Sequence, residues 1–367
     1  MDEDEKYYRL ALNRVEGCGR SAVKEMLRCS GTARNVFEKP ELWQKRLNGR
    51  HTKRLKVVLD DSIRRAVDEE IRLLERHNIG VCHYLDAGYP RRLRRCVDAP
   101  ILYYYKGGSE FNYERMVAFV GTRNATMYGL KCVTKLLDEL KDSNIVTVSG
   151  LAYGIDTKVH EESLNFGMTT IAVMGCGLKT VYPSTNRNLA MRIIDSGGTV
   201  VSEFPYDMGP ERVNFPQRNR IIAGMSDAVV VVESSIKGGS IITAHIAHSY
   251  NRDVFAVPGS VFDDTHLGCH NLIKKNVAAV AASGADILEM MNWEQVAKPY
   301  QTELFVELDE NEERICNLLD SGVMSIDDIT DKFDDMTPSR LAGLLLGLEL
   351  KGVIEALPGK KYRKIRN

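Results

Sequence analysis

Apolar residues along this chain recur with three rhythms. Up to about His77 they follow a helical period, with Leu10, Leu12, Val15, Val23, Met26 and Leu27 expected to be buried and no convincing strand among them. From Met116 to about Met290, short continuous apolar runs at 116–120, 144–149, 169–174, 199–204, 228–233, 253–258 and 277–282 alternate with candidate helices. Runs that are apolar throughout, rather than at every second position, mark strands covered on both faces. Strands separated by helices then form a doubly wound parallel α/β sheet, the Rossmann-like arrangement. After Asn292 the segment WEQVAKPYQTEL loses the pattern and reads as a linker. The last stretch predicts three helices and a β-hairpin, which is winged-helix order, with Thr337 and Pro338 opening the third helix and Gly352 closing it.

The expected organisation is a helical module (1–80), a connector packing on the core (81–115), the Rossmann-like domain (116–291), a linker (292–309) and a winged-helix domain (310–367). A chain of 367 residues has room for these units. Its 44% hydrophobic and 27% charged content exclude a disordered, collagenous or disulfide-scaffold class. Formal net charge is −1, so a surface for nucleic acid has to come from local clustering. The acidic start MDEDEKYYRL lacks the basic and apolar segments of an export signal, and no apolar run is long enough to span a bilayer. A cytoplasmic protein with no membrane partner is expected. The eight cysteines form no CxxC pair and have no histidine at zinc-ligand spacing, so they read as buried reduced thiols, and neither a metal nor a cofactor is expected.

Ligands of an open parallel sheet sit beyond the strand C-termini, so the residues just after each strand are the candidates. They are Gly121, Thr122 and Arg123 after the first core strand; Ser149, Gly150 and Leu151 after the second; Gly175 and Gly177 after the third; and Lys237, Gly238, Gly239 and Ser240 after the fifth. Glycines there let the backbone approach a ligand, and free N–H groups at helix starts favour an anion. One such turn is ordinary, whereas several on one edge suggest a phosphate site. The segment from Asn214 to Arg220 adds Phe215, Arg218, Asn219 and Arg220. Guanidinium groups fork phosphate oxygens and an aromatic face stacks a base without reading it. Phe215 also fits a core side chain and Arg220 a salt bridge to a neighbouring carboxylate. Two weaker features are the glycine turn from Val15 to Val23, either a phosphate-binding hairpin between helices or a plain helical corner, and Arg91, Arg92, Arg94 and Arg95, a run whose default is a solvated or internally paired face.

VGTR (120–123), SGLAYGID (149–156), YPSTN (182–186), SEF (202–204), FPQRNRIIAG (215–224), VVVES with KGGSIITA (230–244) and VFAVPG (254–259) occur in this order across the central domain. In sequence and spacing they resemble the signatures of the DNA-processing protein A family, and the upstream AGYPRRL and PILYYYKG and the closing LELKGVIEALPGKKYR resemble its flanks. The resemblance implies single-stranded DNA binding without known catalysis, self-association as a homodimer, and loading of the RecA recombinase onto incoming strands during natural transformation. It places the binding pocket at Arg123, Ser149, Gly150, Phe215, Arg218, Asn219, Arg220 and the Lys237–Ser240 loop.

Three enzyme classes compete for the same fold. A phosphoribohydrolase-like nucleotide hydrolase is the main alternative, but its PGGxGTxxE signature is replaced here by KGGSIITA, which lacks the glutamate. Asp156, Glu203 and Glu233 remain as carboxylates, read as capping or arginine-pairing groups. A dinucleotide oxidoreductase lacks the third glycine of its fingerprint after Gly177, and no GxxxxGK[ST] stretch supports a triphosphatase. His160 and His245 read as structural. The strongly apolar third helix of the winged-helix unit suits a protein contact at least as well as a DNA groove.

Overall fold

The computed structural model describes residues 3–14, 19–47, 61–293, 308–320, 322–333, 336–351, 353–357 and 361–364. Seven strands carry the core: β3 (Arg115–Val120), β4 (Ile145–Ser149), β5 (Thr170–Val173), β6 (Thr199–Ser202), β7 (Ala228–Val231), β8 (Asp253–Ala256) and β9 (Ala279–Val280). All pair in parallel, in the order β6-β5-β4-β3-β7-β8-β9. The apolar runs at 199–204, 228–233 and 277–282 thus give shorter strands than expected, their ends turning into loops.

Each central strand is buried on both faces. In β3, Met116, Ala118 and Val120 join one cluster with Ile221, Ile222, Ile241 and Ala244, while Val117 and Phe119 join another with Val133, Leu136, Leu137 and Val159. Helices Asn214–Met225 and Gly239–Ser249 therefore cover one face, and helices Met127–Leu140 and Ile155–Asn165 the other. This double cover is why the strands read as uninterrupted apolar runs.

The connector contributes more than packing. Gly80–His83 forms β1 and Leu102–Gly107 forms β2, which pairs antiparallel with β1 on one side and β6 on the other, so the sheet has nine strands and is mixed. Tyr103 and Tyr104 on β2 are both buried. The four arginines of the connector divide. Arg92 is tied to Asp227 and to the carbonyls of Tyr113 and Glu114, Arg94 to the Asp86 carbonyl, while Arg91 and Arg95 are exposed.

Ahead of the sheet lie helices Glu3–Asn13, Arg20–Ser30, Ala33–Glu38, Glu41–Gln44 and Asp61–Arg76. Leu10, Leu12, Val23, Met26 and Leu27 are buried around Trp43, whose indole N–H donates to the Val36 carbonyl. Val15 and most of the glycine turn after it fall outside the described residues.

The chain divides into two compact units, 1–296 and 297–367. Most of the expected linker lies outside the described residues. The second unit has helices Glu310–Leu319, Ile326–Thr330 and Pro338–Leu350 and a small sheet of β10 (Met324–Ser325), β11 (Ile354–Leu357) and β12 (Lys361–Lys364). Thr337 caps the third helix by accepting from the Arg340 N–H, and Leu341, Leu345 and Leu348 of that helix fill the core. Among the described residues no helix is long and apolar enough to cross a membrane, and no cluster of histidine, cysteine and carboxylate side chains could hold a metal ion.

Candidate nucleic-acid interface

From β3 the chain steps to β4, β5 and β6 on one side, then returns to place β7 on the other side of β3. The loops after β3 and β7 lead to helices on opposite faces, which leaves a crevice beyond the strand ends where the topology reverses. An open cleft of about 690 Å3 occupies that position. Of the candidates, Gly121, Thr122, Arg123, Phe215, Arg218, Asn219, Gly238, Gly239 and Ser240 line it.

The loop after β3 is held from below. The buried Glu233 carboxylate accepts from the Thr126 N–H (3.0 Å) and hydroxyl (3.3 Å), and the Thr122 N–H donates to the Glu233 carbonyl (2.8 Å). The Thr126 hydroxyl also caps helix Met127–Leu140 through the Gly129 N–H. Helix Gly239–Ser249 differs, because no side chain caps its start at Gly238, and Gly238, Gly239 and Ser240 line the cleft. Ser240 is fixed there by donating to the Ser234 hydroxyl at 2.7 Å. Such an uncapped helix start attracts an anionic group.

Arg123 is exposed, and its guanidinium lies 5.2 Å from the centre of the Phe215 ring, a cation–π contact across the cleft. Phe215 is half-buried and neighbours Tyr182, with ring centres 5.7 Å apart and the rings tilted by 45°. Arg218 forms the floor. It is 4% exposed, donates through Nη1 to the carbonyls of Gly150 and Val173, and donates through Nε to Asn219 at 3.3 Å. Asp156 faces it, accepting from the Gly150 N–H at 3.1 Å. Burial pushes the Asp156 carboxyl up while Arg218 opposes the rise, and burial pulls the Arg218 guanidinium down while Asp156 opposes the fall. The floor is thus a mutually compensated pair, and the exposed charge belongs to the rim.

Other candidates stand apart from the cleft. Arg220 is 5% exposed and bound to Glu203 and to the Asp98 carbonyl, so it joins the core helix to β6 and the connector instead of meeting a phosphate. Gly175 makes room for a protein ring, since a Cβ there would lie 2.8 Å from Phe215 Cδ1. Gly177 is pressed against the backbone carbonyls of Pro205 and Tyr206. Ser149 is buried and donates to the Phe119 carbonyl, and Leu151 is buried in a left-handed conformation. Gly150 lines a small recess beside the cleft, and Lys237 is exposed on the β7 loop without forming the cleft wall. His160 is buried, bonded through Nδ1 to the Thr170 hydroxyl and pulled down by burial to about 3, whereas His245 is exposed.

Two contributors were not singled out from the sequence. Arg212 is exposed on the cleft wall in the turn just ahead of helix Asn214–Met225, and Tyr182 stands at the rim within the YPSTN signature. A cation close ahead of the FPQRNR segment was the available signal for Arg212.

Fold and cleft together define a doubly wound α/β protein with a cationic, aromatic crevice at its switch point, followed by a winged-helix unit. The family model described as DNA recombination-mediator protein A matches residues 80–292, and the DprA winged helix domain model matches 302–360. The chain belongs to the DNA recombination-mediator protein A (DprA/Smf) family. DNA processing protein DprA of Streptococcus pneumoniae is 43% identical over 204 residues, covering 56% of this chain and 71% of that protein. Protein Smf of Escherichia coli is 33% identical over 307 residues, covering 82% and 81%. The Streptococcus pneumoniae DprA crystal structure superimposes with a TM-score of 0.66 at 32% identity, covering 77% of this chain and 97% of that one. The protein from Helicobacter pylori, described with a single-stranded DNA binding mode, superimposes with a TM-score of 0.53 at 26% identity, covering 59% and 97%.

Proposed function

We propose that the cleft binds single-stranded DNA. Phosphates lie against Arg123, Arg212 and Lys237 and over the open helix start at Gly238–Ser240, while one base stacks on Phe215. The observation that carries this reading is the Arg123–Phe215 pair at the switch-point cleft, a cation and a ring set side by side. Charge and stacking together grip a strand without reading its sequence. The single-stranded DNA binding mode described for the Helicobacter pylori relative supports the same ligand. Family membership and the recombination-mediator description support the next step, in which a cytoplasmic homodimer protects the bound strand and passes it to the RecA recombinase during natural transformation.

The nucleotide-hydrolase alternative draws on Asp156, the carboxylate on the cleft wall. That group is occupied by the Gly150 N–H and faced by Arg218, which suits holding the loop more than proton transfer. The binding function therefore fits better than catalysis. A gel-shift titration with single-stranded and duplex oligonucleotides of one sequence, at several salt concentrations, tests it. Tighter binding of the single strand is expected, and preference for the duplex would move the site away from this cleft. Release of free base from nucleoside monophosphates would restore the hydrolase reading.

A further inference from the structure

Beside the cleft, on the β4–β5 side of Arg123 and Phe215, lies a second recess to which Tyr153 and Tyr182 both contribute. These rings are 47% and 42% exposed, and neither phenol has a hydrogen-bond partner among the described residues. Exposed tyrosines at such density require an explanation, because burial of the ring is what ordinarily favours a large aromatic side chain.

The backbone goes to some length to present them. Between β4 and helix Ile155–Asn165 the chain takes a left-handed turn at Leu151 (φ 55°) and another at Gly154 (φ 75°), with Tyr153 carried outward between them. At Gly154 a Cβ would lie 2.4 Å from the Thr122 carbonyl oxygen, so the turn is locked against the loop that bears Arg123. The Tyr182 loop is laced to the same place. The buried Asn186 side chain donates to the Leu151 carbonyl at 2.9 Å and to the Thr157 hydroxyl at 2.8 Å. Two loops from different strands are thus bound together, and each sends one tyrosine to solvent beside the same cation–ring pair.

We infer that Tyr153 and Tyr182 form a second stacking platform for the strand, so that two successive bases are held, one on Phe215 and the next on the two tyrosines. The inference rests on the single-strand reading of the main cleft and adds its direction, from the β7 glycine loop across Phe215 towards the β5 side. The recess itself, at about 10 Å3, is too narrow to enclose a base. The base lies across the rings, a mode that tolerates any base and that a paired, stacked duplex cannot use.

Equilibrium titrations of the full chain with oligothymidylate at several salt concentrations test it. Replacing both tyrosines (Tyr153→Leu with Tyr182→Leu) should weaken binding about tenfold or more without changing the slope of log K against log salt. The matching pair of phenylalanine substitutions should bind as the wild type does. Wild-type affinity in the leucine variant, or equal loss in both variants, would overturn the platform. A measurement on the unaltered protein stands beside these variants: an otherwise abasic strand carrying two adjacent thymines should bind more tightly than one carrying a single thymine, and equal binding would refute the second subsite. Failure of the wild type to bind any single strand would refute the main cleft, and its platform with it.

Discussion

The helix Asn214–Met225 serves two regions that differ in how they use charge. On one side Phe215, Arg218, Asn219 and Ile222 line the cleft, together with Arg212 in the turn ahead of the helix and the exposed Arg123. On the other, Arg220 is sealed against Glu203 and the Asp98 carbonyl, with Arg20 also approaching Glu203 at 3.5 Å. The rim keeps its cations in water, where an incoming phosphate can use them. The sealed junction has already committed its cation to the fold. Arg218 and Arg220, separated by one residue, are both buried and bonded within the fold, but a helix advances about 100° per residue and sends one beneath the cleft and the other to the Glu203 junction.

This contrast can be broken first at the sealed side. Arg220→Ala leaves the buried Glu203 carboxylate with only the more exposed Arg20 at 3.5 Å, and loss of one partner of a buried pair costs about 3–5 kcal/mol. Denaturant unfolding should show that loss, and a midpoint within experimental error of the wild type would place Arg220 with the rim group. At the rim the order of effects reverses. Phe215→Ala should weaken single-strand affinity by about 1–3 kcal/mol with little dependence on salt, as read from titrations at two ionic strengths. Unchanged affinity would make Phe215 a packing residue for Gly175 and Tyr182.

The parallel core was legible because burial on both sheet faces leaves continuous apolar runs, and the buried positions of the first helices were legible because Leu10, Leu12, Val23, Met26 and Leu27 keep a helical period. The edge strand β1 and its neighbour β2 were read only as part of a connector packing on the core. Their place in the sheet depends on pairing with β6, about a hundred residues away, and nothing local encodes that partner. The site was legible as a set of glycine turns on one edge, but a glycine is required equally by a ligand and by a neighbouring side chain. Gly175 yields to the Phe215 ring and Gly177 to two carbonyls, a distinction that only coordinates make. The separation of Arg218 from Arg220 was available in principle, since 215, 218, 219 and 222 keep the helical spacing and 220 does not.

The central claim is that the exposed rim, and Arg123 above all, holds the phosphates of a single strand. It is tested most directly by the slope of log K against log salt for oligothymidylate binding to the wild type and to Arg123→Ala. One phosphate contact fewer should flatten the slope by about 0.7. Parallel lines for the two proteins would contradict the account.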